Sequence, residues 1–339
     1  MTVLVTGGAG YIGSHTIIEL IQKGYTKIIS VDNYSNSEEK TYERIKRITN
    51  HQIDFYHVNL TDSAECERIF TEHKIEAIIH FAAFKSVPES VENPTLYYQN
   101  NLNSLINILE SAKKHNCNHL IFSSSCSVYG NSKSLPVTEN TILEPTESPY
   151  ARTKLFSEQI INDFVKVNPS FKAIILRYFN PVGSHMSGLN GELPSDRPNN
   201  LVPFITETAI GNKKVLKVFG GDYNTKDGTC IRDYIHVTDI ADAHILALNY
   251  VYNTDKNYEV FNLGTGIGVT VLEVIESFER MNNLKLNYEI VERRKGDVEA
   301  VYANNEKALN LLKWHPKYSL DDMMESAWKW QQHLLNEKG

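Results

Sequence analysis

The sequence has 339 residues, of which 41% are hydrophobic and 22% charged, the composition of an ordinary globular protein. Its formal net charge of −7 argues against a general nucleic-acid or membrane-surface binder. None of the four cysteines has C-x-x-C spacing, so the sequence indicates no zinc site and no disulfide framework, and we expect a reducing cytoplasm. The start, MTVLVTGG, predicts neither a signal peptide nor a membrane span.

A glycine-rich turn follows the first predicted strand, TVLVT at 2–6. Gly7, Gly10 and Gly13 form a G-x-x-G-x-x-G pattern between this strand and a helical pattern. Such glycines allow a tight turn and let backbone N–H groups approach a pyrophosphate, while the helix N-terminus adds partial positive charge. A purely structural turn could carry the same glycines, so the residues that follow must distinguish the two.

An acidic residue ends the second predicted strand, KIISVD at 27–32. Asp32 stands about twenty residues beyond the last glycine, the spacing of the acid that binds the adenosine ribose in dinucleotide-binding folds. An acid there disfavours the 2′-phosphate of NADP, and the next residue is Asn33 rather than arginine. The sequence therefore predicts an NAD site.

Further short apolar runs alternate with helical patterns up to about residue 180. The remaining predicted strands are 54–58, 76–81, 119–124 and 173–179. Strands that alternate with helices predict a parallel sheet covered on both faces. We therefore predict an α/β fold, with a Rossmann-type doubly wound NAD-binding domain over residues 1–180.

Three residues within this half suggest catalysis. FSSSCSVYG places Ser125 at the end of a predicted strand, where such sheets face the ligand crevice. In SPYARTK, Ser148 and Pro149 suit the start of a helix, which would put Tyr150 and Lys154 one turn apart on one face. A lone tyrosine–lysine pair is more often a surface contact. A nearby cation would, however, favour the phenolate of a tyrosine that otherwise titrates at about 10, as a general base requires.

The character of the chain changes after residue 180. PVGSHMSGLNGELPSDRPNN (181–200) predicts a long functional loop rather than a linker. Helical patterns follow near 200–211, 237–251, 270–281 and 319–335. We predict a smaller mixed α/β substrate domain over residues 181–339. Return segments to the first sheet are expected near 235–264, notably EVFNLG at 259–264.

Together these features resemble the extended branch of the short-chain dehydrogenase/reductases, and more specifically the UDP-galactose 4-epimerase family. The motifs that carry the resemblance span nearly the whole chain: VTGGAGYIGSHT, DNYSNS, IIHFAAFKSV, YYQNN, FSSSCSVYG, SPYARTK, LRYFNPVG, PNNLVP, DGTCIRDYIHV, NLGTG and RRKGD. It implies an epimerase of galactose metabolism that passes through a transient 4-keto sugar. Tyr150 would be its acid/base, Lys154 would lower the pKa of that tyrosine, and Ser125 would hold the reacting oxygen.

The resemblance also implies two sets of binding residues. NAD would contact Gly7, Gly10, Tyr11, Ile12, Gly13, Asp32, Asn33, Asn36, Asn59, Leu60, Phe81, Ala82, Lys85, Asn100, Tyr150, Lys154 and Tyr178. The UDP-sugar would contact Lys85, Ser125, Tyr150, Asn180, Asn200, Leu201, Val218, Phe219, Arg232, Arg294, Asp297 and Val301. Arginine suits a diphosphate because its planar fork donates paired hydrogen bonds. Without the resemblance, the two arginines would be assigned to surface ion pairs.

Two positions depart from the family pattern. Asn59 stands where the family usually has an acid near the adenine, although an amide oxygen could still accept a hydrogen bond from the adenine amino group. Val301 stands where some members carry a bulky tyrosine beside the sugar's 2-position. A smaller residue there goes with acceptance of N-acetylated sugars, so we hypothesise that UDP-GlcNAc and UDP-GalNAc are also substrates.

Other functions remain as alternatives. A UDP-glucuronate epimerase, decarboxylase or dehydratase could share this architecture, but dehydratases typically carry an acid after the active-site hydroxyl. Here Ser125 is followed by Cys126 and Ser127. A non-catalytic NAD-binding regulator could lose Tyr150 or Lys154, and this chain keeps both.

The resemblance further implies a homodimer. Members commonly pair two long helices of each subunit into a four-helix bundle. The segments near 97–115 and 150–166 could form it, although a helical pattern alone does not distinguish an interface from a core face.

Overall fold

The computed structural model of the chain describes residues 1–193, 200–294 and 297–338. The helices are α1 (Tyr11–Gln22), α2 (Lys40–Thr49), α3 (Ser63–Glu72), α4 (Val87–Glu92), α5 (Pro94–Lys114), α6 (Pro149–Val167), α7 (Leu201–Ala209), α8 (Val237–Asn253), α9 (Val271–Asn282) and α10 (Leu320–Lys338). The strands are β1 (Thr2–Thr6), β2 (Lys27–Asp32), β3 (Asp54–His57), β4 (Ala77–His80), β5 (His119–Ser125), β6 (Lys172–Tyr178), β7 (Asn180–Val182), β8 (Leu216–Phe219), β9 (Ile231–Arg232), β10 (Tyr234–His236), β11 (Tyr258–Leu263), β12 (Val269–Thr270), β13 (Tyr288–Val291) and β14 (Ala300–Val301).

A seven-stranded sheet forms the centre of the first part of the chain. Its strands run in the order β11-β6-β5-β4-β1-β2-β3, and every neighbouring pair is parallel. The inner strands are Val- and Ile-rich because a parallel sheet is buried on both faces. The predicted doubly wound α/β fold is confirmed. The predicted return segment near 259–264 falls on β11, which forms one edge of the sheet and pairs with β6.

Two hydrophobic cores cover the faces of this sheet. One joins Val3 and Val5 of β1 to residues of α1, α2 and α8, such as Ile17 and Leu248. The other joins Leu4 to residues of α3, α5 and α6. The strand order reverses between β1 and β4, so a crevice opens beside the carboxyl ends of these strands. Ligands bind at this edge in such folds.

Smaller sheets and three helices make up the second part. They are the parallel pair β8–β13, the pair β7–β10 and the three-stranded sheet β12-β9-β14. Their core gathers residues of α7, α9 and α10, such as Ile205, Phe278 and Met324. A capping box formed by Thr270 and Glu273 starts α9. The domain boundaries at 180 and 181 stay a prediction.

The C-terminal helix α10 contacts both parts. Its Ser326 accepts a hydrogen bond from the backbone of Ser184 at 3.2 Å, and its Trp330 donates to the backbone of Glu192 at 2.7 Å. Near its end, Glu337 pairs with Arg44 of α2 at 3.1 Å. Across the described part of the chain, none of the helices has the length and apolar character needed to cross a membrane.

Candidate active site

The predicted catalytic residues meet where α6 starts beside the end of β5. Ser148 caps the helix by accepting a hydrogen bond from the Ala151 backbone at 3.2 Å, as the sequence predicts. Tyr150 and Lys154 then lie on successive turns, and the Ser125 hydroxyl lies close enough to Tyr150 to lower the pKa of its phenol. The structure therefore brings all three together at the ligand edge of the sheet.

Lys154 is held in place beneath the tyrosine. Its Nζ donates to the backbone carbonyl of Ser123 at 2.7 Å and lies 5.0 Å from the centre of the Phe122 ring. The side chain of Ser123 in turn hydrogen-bonds Tyr178, another predicted cofactor contact. The ammonium group is thus fixed close to the catalytic end of the helix.

For both Tyr150 and Lys154, burial shifts the pKa in one direction and a neighbouring side chain shifts it in the other. Burial raises the pKa of Tyr150 to about 12, while its hydrogen bond with Ser125 acts in the other direction. Burial lowers the pKa of Lys154 to about 8, while the carboxylate of Glu158 favours its charged form. The protein groups alone therefore keep Tyr150 protonated at neutral pH. A further positive charge near the phenol would make it a better base.

The glycine turn has the shape of a dinucleotide cradle. Gly7 has a φ of +69°, and a Cβ there would lie 2.8 Å from the backbone nitrogen of Ala82. A Cβ at Gly13 would lie 2.2 Å from the carbonyl oxygen of Gly7. Among the described residues, no side chain caps α1 and no acid lies in its first turn. The N–H groups that begin at Tyr11 can therefore donate to phosphates, and the residues present fit a dinucleotide.

Asp32 lies beside this cradle at the end of β2. Its carboxylate accepts hydrogen bonds from the backbone of Ala9 at 3.0 Å and of Tyr34 at 2.9 Å, and from Ser37 Oγ at 2.8 Å. It thereby orders both the glycine turn and the loop after β2. This position agrees with the predicted ribose-binding acid.

The other predicted cofactor contacts line the neighbouring loops. Asn33 and Asn36 lie between β2 and α2, Ile12 lies on α1, Phe81 and Ala82 follow β4, and Asn100 lies on α5. Lys85 pairs with Glu192 at 2.6 Å and lies 5.8 Å from the centre of the Tyr11 ring. It therefore bridges the loop after β4 and the long loop after β7.

The side-chain contacts of Asn59 differ from the expectation, whereas Leu60 stays a predicted contact. The Asn59 side-chain oxygen already accepts from the backbone and the hydroxyl of Thr61, at 3.1 and 2.9 Å. The expected acceptor role towards adenine does not fit this conformation, because both lone pairs of the amide oxygen are occupied. The side chain of Leu60 lies in the core, so its backbone is the part that could face a cofactor.

The predicted phosphate-binding arginines converge on one carboxylate. Arg294 donates to Asp297 at 2.9 and 3.2 Å, and Arg232 lies 3.9 Å from the same group. The Arg294 guanidinium also lies 5.6 Å from the centre of the Phe219 ring. Lys295 and Gly296 of the RRKGD motif lie outside the described residues. Two cations and an exposed aromatic ring thus gather on the second part of the chain, as a nucleotide diphosphate would require.

A buried aspartate that sequence reasoning missed organises this region. The Asp233 carboxylate accepts from the backbone and hydroxyl of Thr265 at 2.8 and 2.7 Å, and from the backbones of Gly266 and Ala303 at 3.1 Å each. Its own carbonyl accepts from the backbone of Asn180 at 2.9 Å. The sequence signal that could have pointed to Asp233 is its position directly after Arg232 in the motif IRDY.

The remaining predicted sugar-site residues lie on β14, at the start of α7 and on β8. Val301 of β14 pairs with Arg232 of β9, so this valine lies in the same small sheet as the arginine. Asn200 precedes α7, and Leu201 begins it. Val218 is a correction: alternation along β8 buries its side chain in the core at 1% exposure and turns Phe219 outward at 36%. The Val218 side chain therefore cannot contact a ligand.

Comparison with known proteins gives consistent matches over the full length. The family model described as GDP-mannose 4,6 dehydratase matches residues 4–327. The UDP-glucose 4-epimerase of Dictyostelium discoideum is 47% identical over 99% of this chain and 97% of its own length. That of Haemophilus influenzae is 45% identical over 100% of this chain and 99% of its own.

Solved structures show the same relationship. The UDP-glucose-4-epimerase from Stenotrophomonas maltophila, with bound NAD and formylated UDP-arabinopyranose, superposes with a TM-score of 0.96 at 42% identity, covering 99% of both chains. The Bifidobacterium longum enzyme in complex with NAD+ and UDP has a TM-score of 0.94 at 47% identity, with the same coverage.

Proposed function

This chain belongs to the UDP-glucose 4-epimerase family, within the extended short-chain dehydrogenase/reductases, and on that premise we propose how its own residues act. It is an NAD-dependent enzyme that interconverts UDP-hexoses by inverting carbon 4 of the sugar. The observation that carries the proposed roles is the meeting of Ser125, Tyr150 and Lys154 beside the dinucleotide cradle.

The cofactor would be held by the glycine turn and the loops around it. When bound, NAD supplies a reversible acceptor for the hydride on the sugar's C4. The amides at the start of α1 would bind its diphosphate, and Asp32 would bind the adenosine ribose. Lys85, paired with Glu192, closes the site from the loop after β4.

Tyr150 moves the proton in both half-reactions. Its phenolate form, which the positive nicotinamide of bound NAD would favour, takes the proton of the sugar 4-hydroxyl as hydride leaves C4, and the resulting phenol returns the proton to the 4-keto oxygen when hydride comes back. Ser125 hydrogen-bonds the same sugar oxygen, and the cation of Lys154 stabilises the phenolate. No net oxidation occurs, so NAD stays bound through the cycle.

Inversion requires the 4-keto sugar to present its other face. Arg232, Arg294 and Phe219 would hold the diphosphate and uracil, so the anchoring contacts do not depend on which sugar face is turned inward. Binding energy from this remote part of the substrate retains the reactive intermediate while it turns.

A parallel assay of the purified protein tests this function. UDP-galactose, UDP-GlcNAc and UDP-glucuronate are each incubated with the enzyme, and the products are followed by mass spectrometry and chromatography. Epimerisation leaves the mass unchanged, whereas a decarboxylase removes carbon dioxide and a dehydratase removes water. We expect mass-neutral conversion of UDP-galactose. A complete lack of turnover would instead favour an NAD-binding regulator.

Asp233→Asn is expected to weaken substrate binding without affecting NAD. The new amide group would place a donor against the N–H groups of Thr265, Gly266 or Ala303, which the carboxylate now satisfies. A hydrogen bond to a charged group contributes about 1.5–3 kcal/mol, so we expect the KM for UDP-galactose to rise roughly 10- to 100-fold. Steady-state kinetics and the NAD content of the purified protein measure the two effects.

The matched control is Asp163→Asn, which alters an exposed carboxylate on the outer face of α6. It should leave both quantities unchanged. An unaltered KM in a well-folded Asp233→Asn protein would contradict the organising role of Asp233.

We propose that the enzyme is a homodimer. The outer faces of α4, α5 and α6 carry exposed apolar side chains: Val91, Leu96, Ile106 and Phe156. Leu96 and Ile106 are both exposed on α5, and the Phe156 ring on α6 stacks beside Tyr98 of α5 with centroids 6.3 Å apart. Two such faces would form the four-helix bundle that the family resemblance leads us to expect.

Ile106→Glu is expected to give a folded monomer. A buried charge at the centre of a helix-bundle interface lacks a partner, whereas in a single subunit the position is exposed and tolerates it. Light scattering coupled to size-exclusion chromatography measures the mass. Ile142→Glu, at an exposed loop isoleucine, is the control. Dimers of Ile106→Glu would contradict this interface.

The cytoplasm is the compartment we propose. All four cysteines are free thiols, and those at 66, 117 and 230 are buried. Free thiols suit a reducing environment.

A further inference from the structure

Three consecutive serines of β5 bind residues on successive turns of α6. The pairs are Ser125 with Tyr150, the carbonyl of Ser123 with Lys154, and Ser124 with Glu158. Because α6 rises one turn every 3.6 residues, residues spaced by four present one face to the strand. The first two pairs belong to the proposed chemistry, and the third continues the same row.

Glu158 is part of a buried ion pair. Its carboxylate accepts from Ser124 Oγ at 2.5 Å, and from Arg177 Nε and Nη2 at 2.9 and 2.5 Å. Arg177 also donates to the hydroxyl of Tyr129 at 3.0 Å, and that hydroxyl donates to Asn262 at 2.7 Å. The pair therefore ties α6 to β5 and β6, and reaches β11 through Tyr129 and Asn262.

Stability alone is a weak reason for such a pair. Burying two charges carries a desolvation cost that their attraction barely offsets, and a hydrophobic pair of similar volume often stabilises as well. What distinguishes this pair is its location, one turn beyond Lys154 on the face that bears Tyr150.

We propose that Glu158 and Arg177 are positioning residues, which hold α6 in register on β5 and set the charge around Lys154. This deepens the proposed function and rests on the roles given there to Tyr150 and Lys154. Glu158 acts through Lys154 and does not touch the sugar.

Among the titratable groups that surround Lys154, Glu158 supplies the negative charge that favours the protonated lysine. On β4, His80 is buried and its pKa is lowered to about 3, so it is neutral. On β6, burial raises the pKa of Tyr178, which stays a neutral phenol. From α6 itself, Glu158 raises the pKa of Lys154 against the effect of burial. Arg177, on the far side of the carboxylate, balances that negative charge.

The two members of the pair should therefore have opposite effects on Lys154. Glu158→Gln leaves Arg177 as the uncompensated charge, which disfavours a second cation. Lys154 must be protonated to stabilise the phenolate, so activity falls as the pH rises through its pKa. That alkaline limb should move to lower pH in Glu158→Gln and to higher pH in Arg177→Met, by about one pH unit in each direction.

The experiment measures kcat against pH for UDP-galactose with the NAD-containing enzyme. Wild type, Glu158→Gln, Arg177→Met and the double variant Glu158→Gln/Arg177→Met are compared. The double variant carries neither charge, so its limb should return towards wild type. Asp163→Asn, an exposed acid on α6, is the control for removing a carboxylate and should show no shift.

The outcomes separate this inference from the proposed function. Opposite shifts support it, since a purely structural defect would lower kcat without moving the limb in two directions. If Arg177→Met fails to fold, a low-pH shift in Glu158→Gln that the double variant reverses gives the same support. Unshifted limbs in folded variants, or shifts in one direction only, would overturn the inference. Absence of epimerisation in wild type would instead overturn the proposed function.

Discussion

Tyr150→Phe should lose nearly all epimerase activity while the protein still carries NAD. Phenylalanine keeps the part-buried ring and removes only the hydroxyl that bonds to Ser125 and exchanges the proton. General acid–base catalysis by a positioned group contributes about 10²- to 10⁴-fold, and we expect kcat to fall within or beyond that range. Turnover of UDP-galactose and the NAD released on denaturation measure the two results.

Tyr252→Phe is the matched control, since it removes an exposed tyrosine hydroxyl that bonds to the backbone of Glu76 at 3.2 Å. Its kcat should equal that of wild type. Undiminished turnover of Tyr150→Phe would refute the acid/base role. Loss of NAD in that variant would show that the hydroxyl serves binding instead.

Val301→Tyr should sharply reduce turnover of N-acetylated sugars and spare UDP-galactose. Val301 is part-exposed on β14 and pairs with Arg232, a proposed diphosphate contact. If the sugar binds next to this pair as we propose, a larger side chain at 301 would narrow the space beside it. Overpacking costs about 1–3 kcal/mol, which corresponds to a loss of roughly 10- to 100-fold in kcat/KM for UDP-GlcNAc. Parallel kinetics on UDP-galactose and UDP-GlcNAc measure the ratio.

Val301→Ala is the control for this change, because it enlarges the space and should retain both activities. If wild type does not convert UDP-GlcNAc, the broad substrate range is wrong. If Val301→Tyr converts both sugars as well as wild type does, the position does not govern the choice.

Structural features that depend on residues close together in the chain could be predicted from the sequence. The Val- and Ile-rich runs predicted the central strands, and Ser148-Pro149 predicted the start of α6. Two side-chain placements that differ from the expectation also have a local origin. The hydrogen bonds from Thr61 to the Asn59 oxygen form a short Asx-type turn that N-x-T spacing could have indicated. The alternation of β8 could have placed Val218 in the core.

Contacts between distant segments were beyond sequence reasoning. Glu158 stands four residues after Lys154, which places it on the same face of α6. Its partner Arg177, however, lies on the strand β6. Asp233 likewise receives hydrogen bonds from segments that are far away in sequence. Only the folded topology brings these groups together, because each partner depends on which strands become neighbours.

The span of α10 limits how this protein can be divided or recombined. Its Trp330 ring lies 5.0 Å from the Arg44 guanidinium, and Glu337 pairs with the same arginine, which is itself buried. Removing the last turns of α10 would deprive Arg44, on α2 in the first part of the chain, of both these neighbours. A chimera that joins the second part of this chain to another Rossmann domain would therefore have to carry over the matching surface of α2. Specificity is more safely transplanted by exchanging single residues around β9 and β14 than by exchanging whole halves.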